Sequence, residues 1–332
     1  MADPRLVELP PGTATALGSM PGTDPLAAQR IVIDALPDLP HLVELPDRGP
    51  AAQLDGRGAA FLTDIHVDLE PHGWRVVGRS GVDARRAREA LARDLDALAE
   101  AADSYTGPLK VQAAGPWTLA ASIELTRGDK MLMDAGAVRD LAAALTDGLL
   151  AHAAQVRSVV PGITDLWVQL DEPLLPAVAL GRLRTISGWG GLRRPEAPEL
   201  EERLGDVLGP LVAAGLVAGA HCCADDVPVE LLRRAGARFV SLDLSLHVQE
   251  DEVGEAREAG VLLLAGLVPA VGELPAVPVA VQPLSDLMRR LGLTAEGVVA
   301  TPTCGLAASA DPAAVLRRTR EVAAEVAERS RA

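Results

Sequence analysis

Short, continuously apolar runs alternate with longer stretches rich in Ala, Leu, Arg and Glu from one end of the chain to the other. The apolar runs cover 15–19, 41–45, 110–116, 165–173, 215–221, 238–243, 261–266 and 298–301. Helical periodicity covers 25–36, 83–102, 135–159, 199–214, 229–235, 250–258 and 311–329. Strands that read as unbroken apolar runs belong to parallel sheets covered on both faces, and each needs a helical crossover before the next. Eight such units predict an α/β fold of the (β/α)8 TIM-barrel type. A doubly wound open sheet is the runner-up. The chain has no Gly-rich phosphate loop of either standard kind, which counts against a nucleotide fold.

Two segments depart from the repeat. Around Pro71-His72-Gly73, the runs Ile65–Leu69 and Trp74–Val77 predict a β-hairpin excursion over about 64–79. The Pro-rich stretch 269–278 reads as an irregular connection. It is not a domain linker, because the strand count needs both of its sides. The 332 residues therefore read as a single TIM-barrel domain over 1–332. A net charge of -15 argues against nucleic acid or an anionic membrane as partner, and two Phe with one Tyr leave little to stack on bases. The N-terminus is no signal peptide, and Pro, Gly or charge interrupts every apolar run before membrane-spanning length. Three cysteines, two of them adjacent, do not form a disulfide framework and fit a reducing cytoplasm.

In such a barrel the chemistry sits at the C-terminal ends of the strands. Those ends carry Ser19, Glu44, Asp171, Glu172, His221, Cys223, Asp243 and Cys304. On a strand, His221 and Cys223 share a face and Cys222 takes the other, so Cys222 is expected to be structural. An imidazole, a thiol beside it and the single late cysteine, Cys304, form a donor set for a soft tetrahedral metal. Zinc on His221, Cys223 and Cys304 is the expectation. Each residue also has a plainer reading: a lone strand-end carboxylate is usually a loop cap, and a free cysteine is usually a small buried hydrophobe. The agreement of many strand ends at one mouth outweighs it. His41, His66, His72, His152 and His247 lack a cysteine neighbour and read as surface or loop residues.

Three segments taken together resemble the catalytic domain of the cobalamin-independent methionine synthase family. They are Leu17-Gly18-Ser19, Gln169-Leu170-Asp171-Glu172-Pro173, and His221-x-Cys223 with the late Cys304-Gly305-Leu306. The resemblance spans nearly the whole chain and implies a TIM barrel whose His and two Cys hold a catalytic zinc. It implies a further acidic zinc ligand, at whose position this chain has Asp243 instead of Glu. It also implies that Asp171, with Glu172 beside it, binds the amino group of homocysteine, that Ser19 lies against its carboxylate, and that Glu44 assists at the amine. Zinc in this family deprotonates the substrate thiol and so makes the nucleophile. Two departures concern the methyl donor. The family's folate-packing tryptophan is matched by Ser122, and its His-Ser-Pro acid on the seventh strand is replaced by Gly266-Leu267-Val268-Pro269. A methylcorrinoid (methylcobalamin or a corrinoid protein), whose cobalt leaves without a proton, suits these absences better than methyltetrahydrofolate. Trp117 and the loop carrying Trp189 are candidates to flank the donor. The rival readings are a relative acting on another small thiol, a zinc hydrolase, which would need more histidines, and a zinc-binding homologue without methyl transfer.

Overall fold

A computed structural model describes residues 9–331. Residues 1–6, on which the expectation of no signal peptide rests, lie outside them. Strands β1 (Val67–Glu70) and β2 (Gly73–Val76) form an antiparallel hairpin. Six parallel strands come next: β3 (Gly107–Ala114), β4 (Ile163–Asp171), β5 (Val217–Cys222), β6 (Phe239–Asp243), β7 (Leu262–Val268) and β8 (Val299–Pro302). They hydrogen-bond in sequential order. Helices cross between them and cover the outer face of the sheet, while the inner face closes on itself, so most positions on these strands are apolar.

Two short extended segments, at 13–20 and 40–45, close the sheet on itself. Thr15 N–H donates to the Ala300 carbonyl of β8 at 3.0 Å, and Ala300 N–H returns a bond to Thr13 at 3.2 Å. Glu44 N–H donates to Gly18 at 3.0 Å and Met20 N–H to Glu44 at 2.8 Å, pairing the two segments. Leu42 N–H then donates to Lys110 of β3, and Lys110 N–H to Pro40, both at 2.9 Å. The circle of eight expected from the sequence is therefore present, with two of its members reduced to isolated bridges. Their irregularity has local causes. Pro40 has no N–H to give, and Gly18 holds φ at +127°, off the extended region. A side chain at Gly18 would also meet Gln112, whose Cδ lies 2.6 Å from where a Cβ would stand.

The interior of the ring has its own apolar cluster, separate from the large core between sheet and helices: Leu39, Trp167, Val217, Phe239, Leu264 and Val299. Trp167 and Phe239 are fully buried with ring centroids 5.2 Å apart. Burying each ring contributes about 2–3 kcal/mol. Gly219 makes room for them, since a Cβ there would strike Phe239. This plug fills the end of the barrel where the strands begin and leaves polar side chains to the opposite end.

The hairpin is held against the barrel by Trp74, which is buried, and by a half-buried ion pair between Arg75 and Glu124. Asp68 of β1 accepts from Asp83 N–H at 2.9 Å and so caps the helix Val82–Ala101. Sequence periodicity does not reveal the helix Val277–Leu291, because Pro278 and Pro283 both fall within it. Pro278 sits at its start, where no intrahelical N–H is required. Two of the five histidines expected at the surface are core residues instead: His41 is fully buried and His152 is 3 % exposed. His152 packs edge-on against Phe61 at 5.0 Å. Among the described residues no helix is long and apolar enough to cross a membrane.

Candidate functional site

The two-residue period of the strands stacks the inward side chains in levels. From the plug to the rim these are Trp167, Gln169 and Asp171 on β4; Val217, Gly219 and His221 on β5; and Phe239, Ser241 and Asp243 on β6. Asp171 and His221 are register partners, as are His221 and Ser241. His221 is buried, and its Nδ1 lies 3.2 Å from both the carbonyl and the hydroxyl oxygen of Ser241. That leaves Nε2 as the nitrogen available to the rim.

Cys223, just past the end of β5, brings its sulfur to 3.3 Å from the sulfur of Cys304, 81 residues later in the chain. Contact with Cys223, and then with the His221 imidazole, holds Cys304 well below the ordinary thiol range. The same sulfur contact, with burial second, raises Cys223. The pair therefore favours one thiolate beside one thiol. Cys222 points into the core, and burial pushes its thiol up to about 12.

Among the described residues, no three His, Cys, Asp or Glu side chains stand in an arrangement that encloses an ion. The two sulfurs are in mutual contact, nearer than the roughly 3.8 Å that thiolates keep on a tetrahedral zinc with bonds of about 2.3 Å. The chemistry of the donors fits zinc all the same. One imidazole and two sulfurs come together at the rim, with Cys304 open to solvent.

The other expected site residues divide. Asp171 is 8 % exposed, and its Oδ1 accepts from Gln169 Nε2 at 2.7 Å. Burial, and then the nearby Glu44, raise its carboxyl well above the usual range, opposed by Lys110. Ser19 pairs with Glu44 through the backbone, and its hydroxyl presses on Gly305, where a Cβ would come within 2.0 Å. The serine thus packs against the residue next to Cys304. Glu44 is already engaged, with Oε1 2.9 Å from Arg57 Nε. Burial raises its carboxyl against the pull of Arg57.

Two of the expected site residues are engaged elsewhere in this structure. Glu172 does not face the mouth. Fully buried, it accepts from Trp117 N–H at 2.9 Å, Thr118 N–H at 2.8 Å and Thr118 Oγ1 at 2.7 Å, and so fastens the start of the short helix Pro116–Ser122. Gly115 admits it, since a Cβ there would sit 2.4 Å from Oε1. Asp243, the expected fourth ligand, closes its own turn: Oδ1 accepts from Ser245 N–H at 2.8 Å and Ser245 Oγ at 2.6 Å. Trp117 is also unsuited to flank a donor, being buried with its indole N–H on Leu200. Trp189 is 95 % exposed.

No protein-family profile and no curated protein matches the sequence. Solved structures do match. A B12-independent methionine synthase from a Shewanella species, in complex with selenomethionine, aligns with a TM-score of 0.64 over 98 % of both chains at 13 % identity. A putative vitamin-B12-independent methionine synthase from Listeria monocytogenes aligns with a TM-score of 0.61, covering 97 % of this chain and 98 % of that one at 15 % identity. This chain has their fold.

Within that methionine-synthase fold, several polar residues beneath the rim escape a reading of strand ends. Lys110 is fully buried, its Nζ 2.9 Å from Gln169 Oε1. Gln112 Nε2 donates to the Leu42 carbonyl at 2.7 Å. Arg57 joins Glu44 to Asp94, which Arg48 also reaches. The signal for the strand residues is present in the sequence: Lys110-x-Gln112 and Gln169-x-Asp171 place polar side chains two apart, on one face of runs that are otherwise apolar.

Proposed function

We propose that this chain is a zinc-dependent thiol methyltransferase of the methionine-synthase type. It would transfer a methyl group to the sulfur of homocysteine, or of a close small thiol, from a methylcorrinoid rather than from methyltetrahydrofolate. The observation that carries the reading is the meeting of the Cys223 and Cys304 sulfurs beside His221 at the barrel mouth. Supporting it, the chain shares its fold with a methionine synthase described in complex with selenomethionine, an amino acid, and with a second protein described as a putative methionine synthase.

His221 through Nε2, Cys223 and Cys304 would hold the metal. Three protein ligands, with Asp243 turned aside, match the open coordination of catalytic zinc sites. Bound there, zinc would keep a substrate sulfur deprotonated and nucleophilic at neutral pH. Asp171 would accept the substrate ammonium on Oδ2, its Oδ1 being held by Gln169. Ser19 would offer its hydroxyl to the substrate carboxylate, close to Cys304. Glu44 would act at a distance, since Arg57 already occupies it. The donor assignment is supported by the tip of β7: Gly266, Leu267, Val268 and the adjoining Pro269 include no group able to protonate a leaving folate nitrogen. A cobalt leaving group needs no such acid. The free cysteines suit a reducing cytoplasm, and the proposed unit of function is the single barrel of 1–332 with its hairpin.

Metal analysis with paired methyl-transfer assays tests the reading. The protein is expected to carry a single zinc that His221→Ala, Cys223→Ser and Cys304→Ser each release, and to methylate homocysteine from methylcobalamin. Zinc retained in all three variants overturns the metal site. Equal rates from methyltetrahydrofolate in a cobalamin-free assay overturn the donor assignment.

A further inference from the structure

Lys110 stands on the inner face of β3 with no exposure to solvent, two levels below the rim. Its Nζ donates to Gln169 Oε1 at 2.9 Å, and Gln169 Nε2 donates onward to Asp171 Oδ1 at 2.7 Å and to the Leu17 carbonyl at 3.1 Å. An ammonium, an amide and a carboxylate are thus joined in one chain, and the amide cannot flip without losing both ends. An ammonium kept from water is costly unless carboxylates nearby offset it. Burial lowers Lys110 to about 8 while Asp171 and Glu44 pull it back up.

Carboxylates beneath the mouth have cations close by before any ligand arrives. Glu44 pairs with Arg57, and Asp94 receives both Arg57 and Arg48. Lys110 acts on Asp171. A site evolved only to attract amines would leave Asp171 unopposed.

We propose that Lys110 is a specificity-determining positioning residue: it aims Asp171 through Gln169 and cancels its charge, so that the site takes a zwitterion and rejects the corresponding bare amine. This rests on the reading that Asp171 binds the substrate ammonium. A bare amine brings an uncompensated positive charge into a poorly solvated site and meets the field of Lys110. An amino acid brings its own carboxylate and adds no net charge. Lys110 touches neither ligand, so its influence is electrostatic and geometric.

The test measures Kd for methionine and for its decarboxylated analogue, 3-(methylthio)propylamine, by calorimetry on the purified protein. Wild type is expected to prefer methionine, and Lys110→Met to lose that preference by roughly tenfold or more, the size of a unit charge acting over several ångströms at intermediate dielectric. Gln169→Leu keeps the lysine and frees Asp171. It should weaken both ligands together and leave their ratio unchanged. Should Lys110→Met not fold, Lys110→Gln, which can still bond Gln169, carries the same comparison. A folded Lys110 variant whose ratio stays within twofold of wild type overturns the inference alone. Failure of wild type to bind either ligand overturns the Asp171 reading and the inference with it.

Discussion

Replacing Glu172 by alanine separates a residue that shapes the site from one that touches substrate. Its two carboxylate oxygens take three donors: the Trp117 and Thr118 N–H groups and the Thr118 hydroxyl. All lie in a region with no access to water. Truncation strands two backbone donors at the start of the helix Pro116–Ser122, and each buried unsatisfied group costs about 1–3 kcal/mol. With the space left by the side chain, the loss comes to about 3–5 kcal/mol. At this chain length about 2 °C of Tm accompanies each kcal/mol, so thermal melting should fall by roughly 6–10 °C. Gly115→Ala attacks the same contact from the other side, because its methyl group would stand 2.4 Å from Oε1. It should destabilise by a similar amount, and the double variant should lose less than the sum, since the methyl then enters the vacated space. Methionine affinity of the folded variant should stay within about twofold of wild type. A Tm change below about 2 °C together with loss of methionine binding would refute the assignment and return Glu172 to the substrate.

The geometry carries two further expectations. Asp243→Asn should leave the zinc content unchanged, because Oδ1 serves Ser245; loss of zinc in this variant, measured by metal analysis, would restore Asp243 as a ligand. His41 and His152, both held down to about 3 mainly by burial, stay neutral in the fold while the unfolded chain protonates them below about 6.5. Their contribution is complete above that pH and is lost as pH falls from 6.5 toward 3. Each should cost about 2 kcal/mol of stability by about pH 5. His152→Met should flatten the decline of Tm between about pH 7 and pH 5; an unchanged slope would contradict it.

The barrel was legible because its strands and helices bury different periods of the same apolar residues, and these leave marks in a single sequence. Even the hairpin at β1 and β2 announced itself through Pro71-His72-Gly73. What local pattern cannot express is the destination of a side chain once its backbone is placed. Asp171 and Glu172 are neighbours with the same chemistry, yet the pleat sends one to the rim and the other to a helix start. Asp243 shows the same limit: a carboxylate at a strand tip serves a metal or its own turn according to where Ser245 falls. The helix Val277–Leu291 stayed hidden for a different reason, because Pro283 contradicts the local signal and tertiary packing overrides it.

Lys110 shows why a barrel mouth cannot be understood from its rim alone. Had the interior been apolar up to Asp171, the carboxylate would have faced the cost of burial alone and would have shed its charge by taking up a proton. A neutral acid at that position could not hold an ammonium. The lysine and the Gln169 amide pull against that proton uptake while tying down one oxygen, so that the other remains for a ligand. Trp167, the register partner of Lys110, and Phe239 fill the ring beside the lysine, which has no exposure to solvent. Plug, cation, amide and carboxylate therefore form one column. Removing any level changes the charge that the rim presents, though none but the last would touch a substrate.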